Sequence, residues 1–145
     1  MKYKIMASVG HIMDLSKNDL GVNLDTFDLT YKLNADKKEV ISNIKREIEN
    51  HDVIYLATDP DREGEFIAWR LSIIFAKFPS QKRVTFNEIT ETSVQKAIEE
   101  AREIDTALVD SAKVRRFMDR LVGFECSRFS RSWRLASMGR VQTPT

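Results

Sequence analysis

The chain has 145 residues, 42% hydrophobic and 31% charged, with a net charge of +1. That composition fits one soluble globular domain, or one and part of another, and excludes a disordered chain. No run of about 18 apolar residues occurs and the start "MKYKIMASVGH" has no long apolar stretch, so neither a membrane span nor a signal peptide is expected, while the single cysteine, Cys126, excludes an internal disulfide or zinc cluster and fits a reducing cytosol.

Taken in order, "YKIMASV" (3–9) alternates loosely and predicts a strand. Residues 10–33 are rich in Asn, Asp and Gly and read as a long loop, an arrangement that usually carries function. "DKKEVISNIKREIEN" sets Val40, Ile41, Ile44 and Ile48 on one helical stripe, with Asp36 as the expected N-cap. "DVIYLAT" predicts a short buried strand, "EGEFIAWRLSIIFAK" a helix covered nearly all round, and "KRVTFNE" another strand. A helix capped by Thr90 follows, with Val94, Ala97, Ile98 and Ala101 on one side. From Asp105 a further helix is expected, its apolar face formed by Leu108, Ala112, Phe117, Leu121 and Phe124. Strand–helix alternation over 36–104 predicts an α/β unit with a parallel sheet, in which ligands gather at the carboxyl ends of the strands.

Charge is unevenly spread. Residues 111–145 carry eight basic side chains, seven of them arginines, against two acidic ones. Arginine's planar fork suits phosphate, so this end suggests a polyanion partner; a solvated helix face is the plain alternative. The opposite anomaly is "DPDREGE", which packs Asp59, Asp61, Glu63 and Glu65 into seven positions after the strand "VIYLAT". In an extended segment residues i and i+2 project to the same side, so Asp59 and Asp61 can face one cation, with Glu63 close by. Hard oxygen donors suit Mg²⁺, which keeps several waters and bridges one or two carboxylates to substrate phosphates. Pro60 stiffens the turn, and Gly64 is read as permitting an unusual backbone angle or the close approach of a ligand. A calcium-binding EF-hand loop is excluded, because its twelfth position needs glutamate and here holds Arg70. An acidic helix N-terminus would explain Glu63 and Glu65 but not the two aspartates.

These residues resemble a known family. "LATDPDREGEFIAW" is similar to the acidic signature of the Toprim fold in type IA DNA topoisomerases. "SVGHIMDL" (8–15) resembles that family's S-x-G-H-[IV]-x-D-L, and "FNEIT" (86–90) matches another of its segments. "RRFMDRLVGFECS" followed by "SMGRVQTPT" resembles R-R-x-x-D-R-x-x-G-[YF] and S-A-G-R-V-Q-[ST]. The resemblance implies a Toprim-like, Rossmann-like parallel sheet flanked by helices. It also implies an enzyme that relaxes negatively supercoiled DNA by transient single-strand cleavage, passage and religation. Asp59, Asp61 and Glu63 then become the Mg²⁺-binding acidic triad. His11 and Arg62 fall near the DNA strand. Arg115, Arg116, Asp119 and Phe124 fall on the helix lining the single-strand groove. Ser137, Met138, Gly139, Arg140, Val141 and Gln142 fall on the loop that follows, with Arg140 the best phosphate ligand. The implied setting is cytoplasmic, on the nucleoid, and the implied partners are single-stranded DNA and the remaining domains of the parent enzyme.

The chain also departs from the family. The strand ending in a catalytic glutamate, which precedes S-x-G-H in the family, has no counterpart ahead of residue 8. None of Tyr3, Tyr31 and Tyr55 stands in the context of the nucleophilic tyrosine. Met138 replaces the usual alanine, and Met13 a common arginine. The expectation is therefore a Toprim domain over 1–104, lacking its first strand, then the start of a helical DNA-binding domain over 105–145. Such a piece is expected to be inactive alone and prone to self-association. The alternatives are another Toprim enzyme, a primase or nuclease, or a non-catalytic single-stranded DNA-binding module.

Overall fold

The expected strand–helix alternation is present in the computed structural model, which describes residues 3–15, 20–26, 29–78 and 80–133. The elements are β1 (Met13–Leu15), β2 (Tyr31–Leu33), α1 (Lys38–Ile48), β3 (Ile54–Ala57), α2 (Arg62–Ile74), β4 (Gln81–Val84), α3 (Glu91–Glu99) and α4 (Thr106–Ser132). They fall into two compact units. One comprises the chain up to Asp14 together with Leu33–Val109, the other Leu15–Lys32 and the residues from Asp110 onward.

In the first unit β3 and β4 run parallel, with Leu56 opposite Arg83 and Ala57 opposite Val84, and α2 connects them as in a βαβ unit. The hydrophobic core joins Ile41 and Ile48 of α1, Leu56 of β3, and Ala68 and Leu71 of α2 with Ile12 and Phe75. Ile41 and Ile48 belong to the stripe that helical spacing indicates for α1, with Ile44 packed against the core, while Val40, expected on the same stripe, is not among these core residues. Gln81, the first residue of β4, donates its side-chain amide to the carbonyls of Phe75 and Phe78 (2.8 and 2.9 Å). It thereby satisfies backbone acceptors just beyond the end of α2. In the second unit an isolated antiparallel bridge joins Val22 to Leu29, and Arg120 of α4 donates to the carbonyl of Leu20 (3.0 Å).

Several local expectations need correction. Residues 3–9 form no strand: alternation supplies a face, but a strand also needs an edge to pair with, and Ile5 is 91% exposed. The stretch 10–33, read as a loop, contains β1 and β2. Asp36 lies inside a 3-10 turn (Ala35–Lys37) and does not cap α1; it pairs with Lys37 (3.7 Å). The strand in "KRVTFNE" stops at Val84, and α3 stops at Glu99, before Ala101. The Thr90 cap is present, its hydroxyl accepting from Ser93 N (3.3 Å). No described helix is long and apolar enough to cross a membrane.

Candidate functional site

Of the carboxylates of "DPDREGE", Asp59 and Asp61 lie in the loop where β3 runs out, and Glu63 and Glu65 in the first turn of α2. Asp61 is extended (φ −127°, ψ 178°) and caps α2, its Oδ1 accepting from Gly64 N at 2.6 Å. Thr58 Oγ1 donates to Gly64 O at 2.5 Å. An ideal Cβ on Gly64 would lie 2.0 Å from Asp59 O. Gly64 is therefore required by the loop's own backbone, which crosses the first turn of α2, and not by an unusual backbone angle. The outcome is a tight turn that leaves Asp59 and Asp61 exposed at the carboxyl end of a parallel strand.

The fourth carboxylate faces inward. Glu65 and Arg83 are buried, 1% and 0% exposed, and Arg83 Nε meets Glu65 Oε2 at 3.0 Å. Arg102 adds two contacts to the same carboxylate (3.0 and 3.1 Å), and Asp105 N a third donor at 2.7 Å. Asp105 in turn caps α4, accepting from Ala107 N and Leu108 N. An antiparallel bridge between Arg83 and Arg102 places the two guanidinium groups around one carboxylate. Burial alone would raise the Glu65 carboxyl, but hydrogen bonds from Arg102, Asp105 N–H and Arg83 outweigh it and hold the group below its ordinary 4.5. Burial pulls the Arg83 guanidinium below its ordinary value, while Glu65 raises that of Arg102.

Arg83 also bonds the backbone of the acidic loop. Its Nη1 donates to the carbonyls of Leu56 (3.0 Å), Thr58 (2.9 Å) and Val84 (2.5 Å), and its Nη2 to that of Asp59 (2.7 Å). Sequence reasoning missed Arg83 and Arg102. The available signal was an arginine in a short strand next to a buried parallel partner, a position that a charge occupies only when paired.

His11 approaches the loop from the first unit's N-terminal segment. Val9 has φ 55° and Gly10 φ 78°, the first a strained value for a β-branched residue. His11 Nδ1 lies 3.1 Å from Arg70 Nη1, and Arg70 also donates to Met13 O. An Nδ1 that accepts from a guanidinium leaves the ring proton on Nε2, which lies 3.9 Å from Glu63 Oε2. Arg70 is itself buried, 4.1 Å over the Phe66 ring. Glu63 is thus turned toward His11, and Arg62 is half-buried at the start of α2. Among the described residues no three His, Cys, Asp or Glu side chains are gathered as a metal-binding group.

The remaining candidates lie on α4 in the second unit. Arg115 pairs with Asp119 (3.9 Å), and Arg116 and Phe124 are half-buried. Arg120 sits 5.4 Å over the Phe124 ring. Phe129 and Trp133 are 65% and 68% exposed, with ring centroids 6.3 Å apart. Ser137 to Gln142, including Arg140, lie outside the described residues.

Residues 1–89 match the Toprim domain family. The chain is 42% identical over 146 residues to a protein named DNA topoisomerase I, plasmid, from Xylella fastidiosa (strain 9a5c), a match covering 98% of this chain and 22% of that protein. Full-length topoisomerase I from Thermotoga maritima has a TM-score of 0.80 at 35% identity, covering 86% of this chain and 22% of its own. The chain therefore spans about a fifth of the length of these relatives. It belongs to the Toprim family, in the branch formed by the type IA DNA topoisomerases.

Proposed function

We propose that this chain supplies the metal-binding acids and part of the single-strand DNA surface of an enzyme that relaxes negatively supercoiled DNA by transient single-strand cleavage, strand passage and religation. The observation that carries this reading is the exposed Asp59–Asp61 pair at the carboxyl end of β3, in a turn built by Gly64 and Asp61. Two exposed carboxylates fit Mg²⁺, which favours one or two carboxylates plus waters and substrate phosphate over an all-protein cage. When bound, the ion supplies the positive charge that lets a DNA phosphate settle beside these acids. Glu63 contributes as the third acid, held by its contact with His11. His11, with its ring proton on Nε2, is a donor for a phosphate oxygen, and Arg62, at the start of α2, offers a positive charge.

On α4 the arginines 115 and 116 contact the strand's backbone, Asp119 orients Arg115, and Phe124, Phe129 and Trp133 offer faces on which bases stack. Ser137 to Gln142, with Arg140 as a phosphate ligand, belong to the same proposed DNA surface. None of Tyr3, Tyr31 and Tyr55 is assigned the nucleophile's role; the Tyr3 ring packs edge-on against Tyr55 (6.3 Å). The division into a Toprim domain over 1–104 and a helical domain from 105, the cytoplasmic, nucleoid-associated setting and the remaining parent domains as partners belong to the same proposal.

A non-catalytic single-stranded DNA-binding module is the second reading, favoured by the absence of a three-residue metal-binding group among the described residues. Titrating the purified chain with a single-stranded oligonucleotide separates the two. If four basic residues touch phosphates, log Kd against log salt should have a magnitude of about 3, from about 0.7 per contact. Mg²⁺ should tighten binding in the unmodified chain and not in Asp59→Asn/Asp61→Asn, with the salt slope unchanged. Affinity indifferent to both metal and substitution leaves only the binding module, and a slope near zero removes the DNA surface altogether.

A further inference from the structure

We infer that Arg83 is a positioning residue for the acidic loop: its guanidinium, held by Glu65, fixes the backbone from which Asp59 projects, and so sets the loop's affinity for a divalent cation. The inference rests on the proposed metal-binding role of Asp59 and Asp61 and adds to it a residue from a different strand. Three facts carry it. Arg83 is fully buried, so its position is set by packing and not by solvent. Its donors are divided between one carboxylate and the carbonyls of Leu56, Thr58, Val84 and Asp59, so that one rigid group spans β4, the end of β3 and the loop beyond it. On the loop's other side Gly64 allows the first turn of α2 to abut the Asp59 carbonyl, and the Arg83 bond to that same oxygen (2.7 Å) closes the loop from the β4 side.

Glu65 holds the arrangement together without touching the loop's carbonyls. It aligns Arg83 through Nε and receives Arg102 on both oxygens. Arg102 is therefore an internal control, because it shares the carboxylate with Arg83 but donates to no carbonyl of the acidic loop. Lysine at position 83 would keep the charge beside Glu65. A compact ammonium with three donors cannot reproduce a planar fork spanning Glu65 and the carbonyls of both strand ends. A group that orients a metal ligand without touching the ion typically changes metal affinity by about 10–100-fold when removed.

The test is Mn²⁺ binding to the 145-residue chain, followed by electron paramagnetic resonance at a temperature where circular dichroism shows every variant folded. Arg83→Lys should bind Mn²⁺ about 10–100-fold more weakly than the unmodified chain, and Arg102→Gln within about twofold of it. Should Arg83→Lys not fold, the unmodified chain decides: on adding Mg²⁺ the ¹⁵Nε signal of Arg83 should shift while that of Arg102 stays in place. Equal Mn²⁺ affinity in Arg83→Lys and the unmodified chain overturns the inference and leaves the metal-binding proposal intact. Equal losses in Arg83→Lys and Arg102→Gln also overturn it, since the effect would then run through Glu65 alone. An unmoved Arg83 signal overturns it as well. No Mn²⁺ binding by the unmodified chain removes the metal-binding proposal itself, and this inference with it.

Discussion

Glu65→Leu is expected to lower the unfolding free energy by about 3–5 kcal/mol, the cost of leaving a buried charge without its counter-ion. Arg83 is wholly enclosed, so it cannot turn to water when the carboxylate is removed, whereas Arg102, whose side chain is 43% exposed, can. Urea denaturation would measure the loss. The double variant Glu65→Leu/Arg83→Met removes the unpaired charge but also the donors to the carbonyls of Leu56, Thr58, Val84 and Asp59, so it should recover only part of that loss. A Glu65→Leu variant as stable as the unmodified chain would show that the buried charge of Arg83 does not depend on this carboxylate.

The same carboxylate sets part of the acid limb of stability. Its folded-state value lies below the ordinary 4.5, so its contribution is fully present above that pH and is lost as pH falls through the lower folded value. Melting temperatures taken down the pH scale should fall less steeply below 4.5 in Glu65→Gln than in the unmodified chain.

Gly64→Ala is the second large effect. In a helix interior, alanine is ordinarily favoured over glycine by about 1 kcal/mol. Here its Cβ would lie 2.0 Å from the Asp59 carbonyl oxygen and 2.8 Å from its carbon, and both are backbone atoms that no rotamer change can move. Forced displacement of this kind costs about 1–3 kcal/mol or more, enough to reverse the propensity. The loop, with Asp59 and the Asp61 cap, must shift, so divalent-cation affinity should fall together with stability. An alanine variant at least as stable as the parent would contradict the close crossing of the loop over α2.

Much of the fold can be read from residue patterns, and the limits have physical causes. The α1 stripe of Ile41, Ile44 and Ile48, the βαβ order of β3, α2 and β4, and the Thr90 cap follow from periodicity and local hydrogen bonding. The strand expected over residues 3–9 fails because pairing is a property of two segments and alternation of only one. Asp36 fails as a cap because a 3-10 turn precedes α1 and takes up that residue.

At the site, the exposed end of β3 was legible in "VIYLAT" running into Asp59. Two other features were not. The four carboxylates look alike in sequence, yet Asp61 caps a helix, Glu63 faces His11, and Glu65 is buried against arginines 83 and 102. Which carboxylate turns inward depends on partners 18 and 37 residues away along the chain, beyond the reach of any local pattern. Gly64 was read as allowing an unusual backbone angle or a ligand's approach, whereas its close neighbour is the Asp59 carbonyl, visible only once α2 is folded against the loop.

The most direct measurement is a crystal of this chain soaked in manganese, with anomalous scattering used to find the ion. Manganese bonded to both Asp59 and Asp61 is the expected result, with its remaining positions filled by water and with Arg83 still on the Asp59 carbonyl. The two side chains splayed apart with no ion between them, in crystals where manganese is otherwise available, would contradict it.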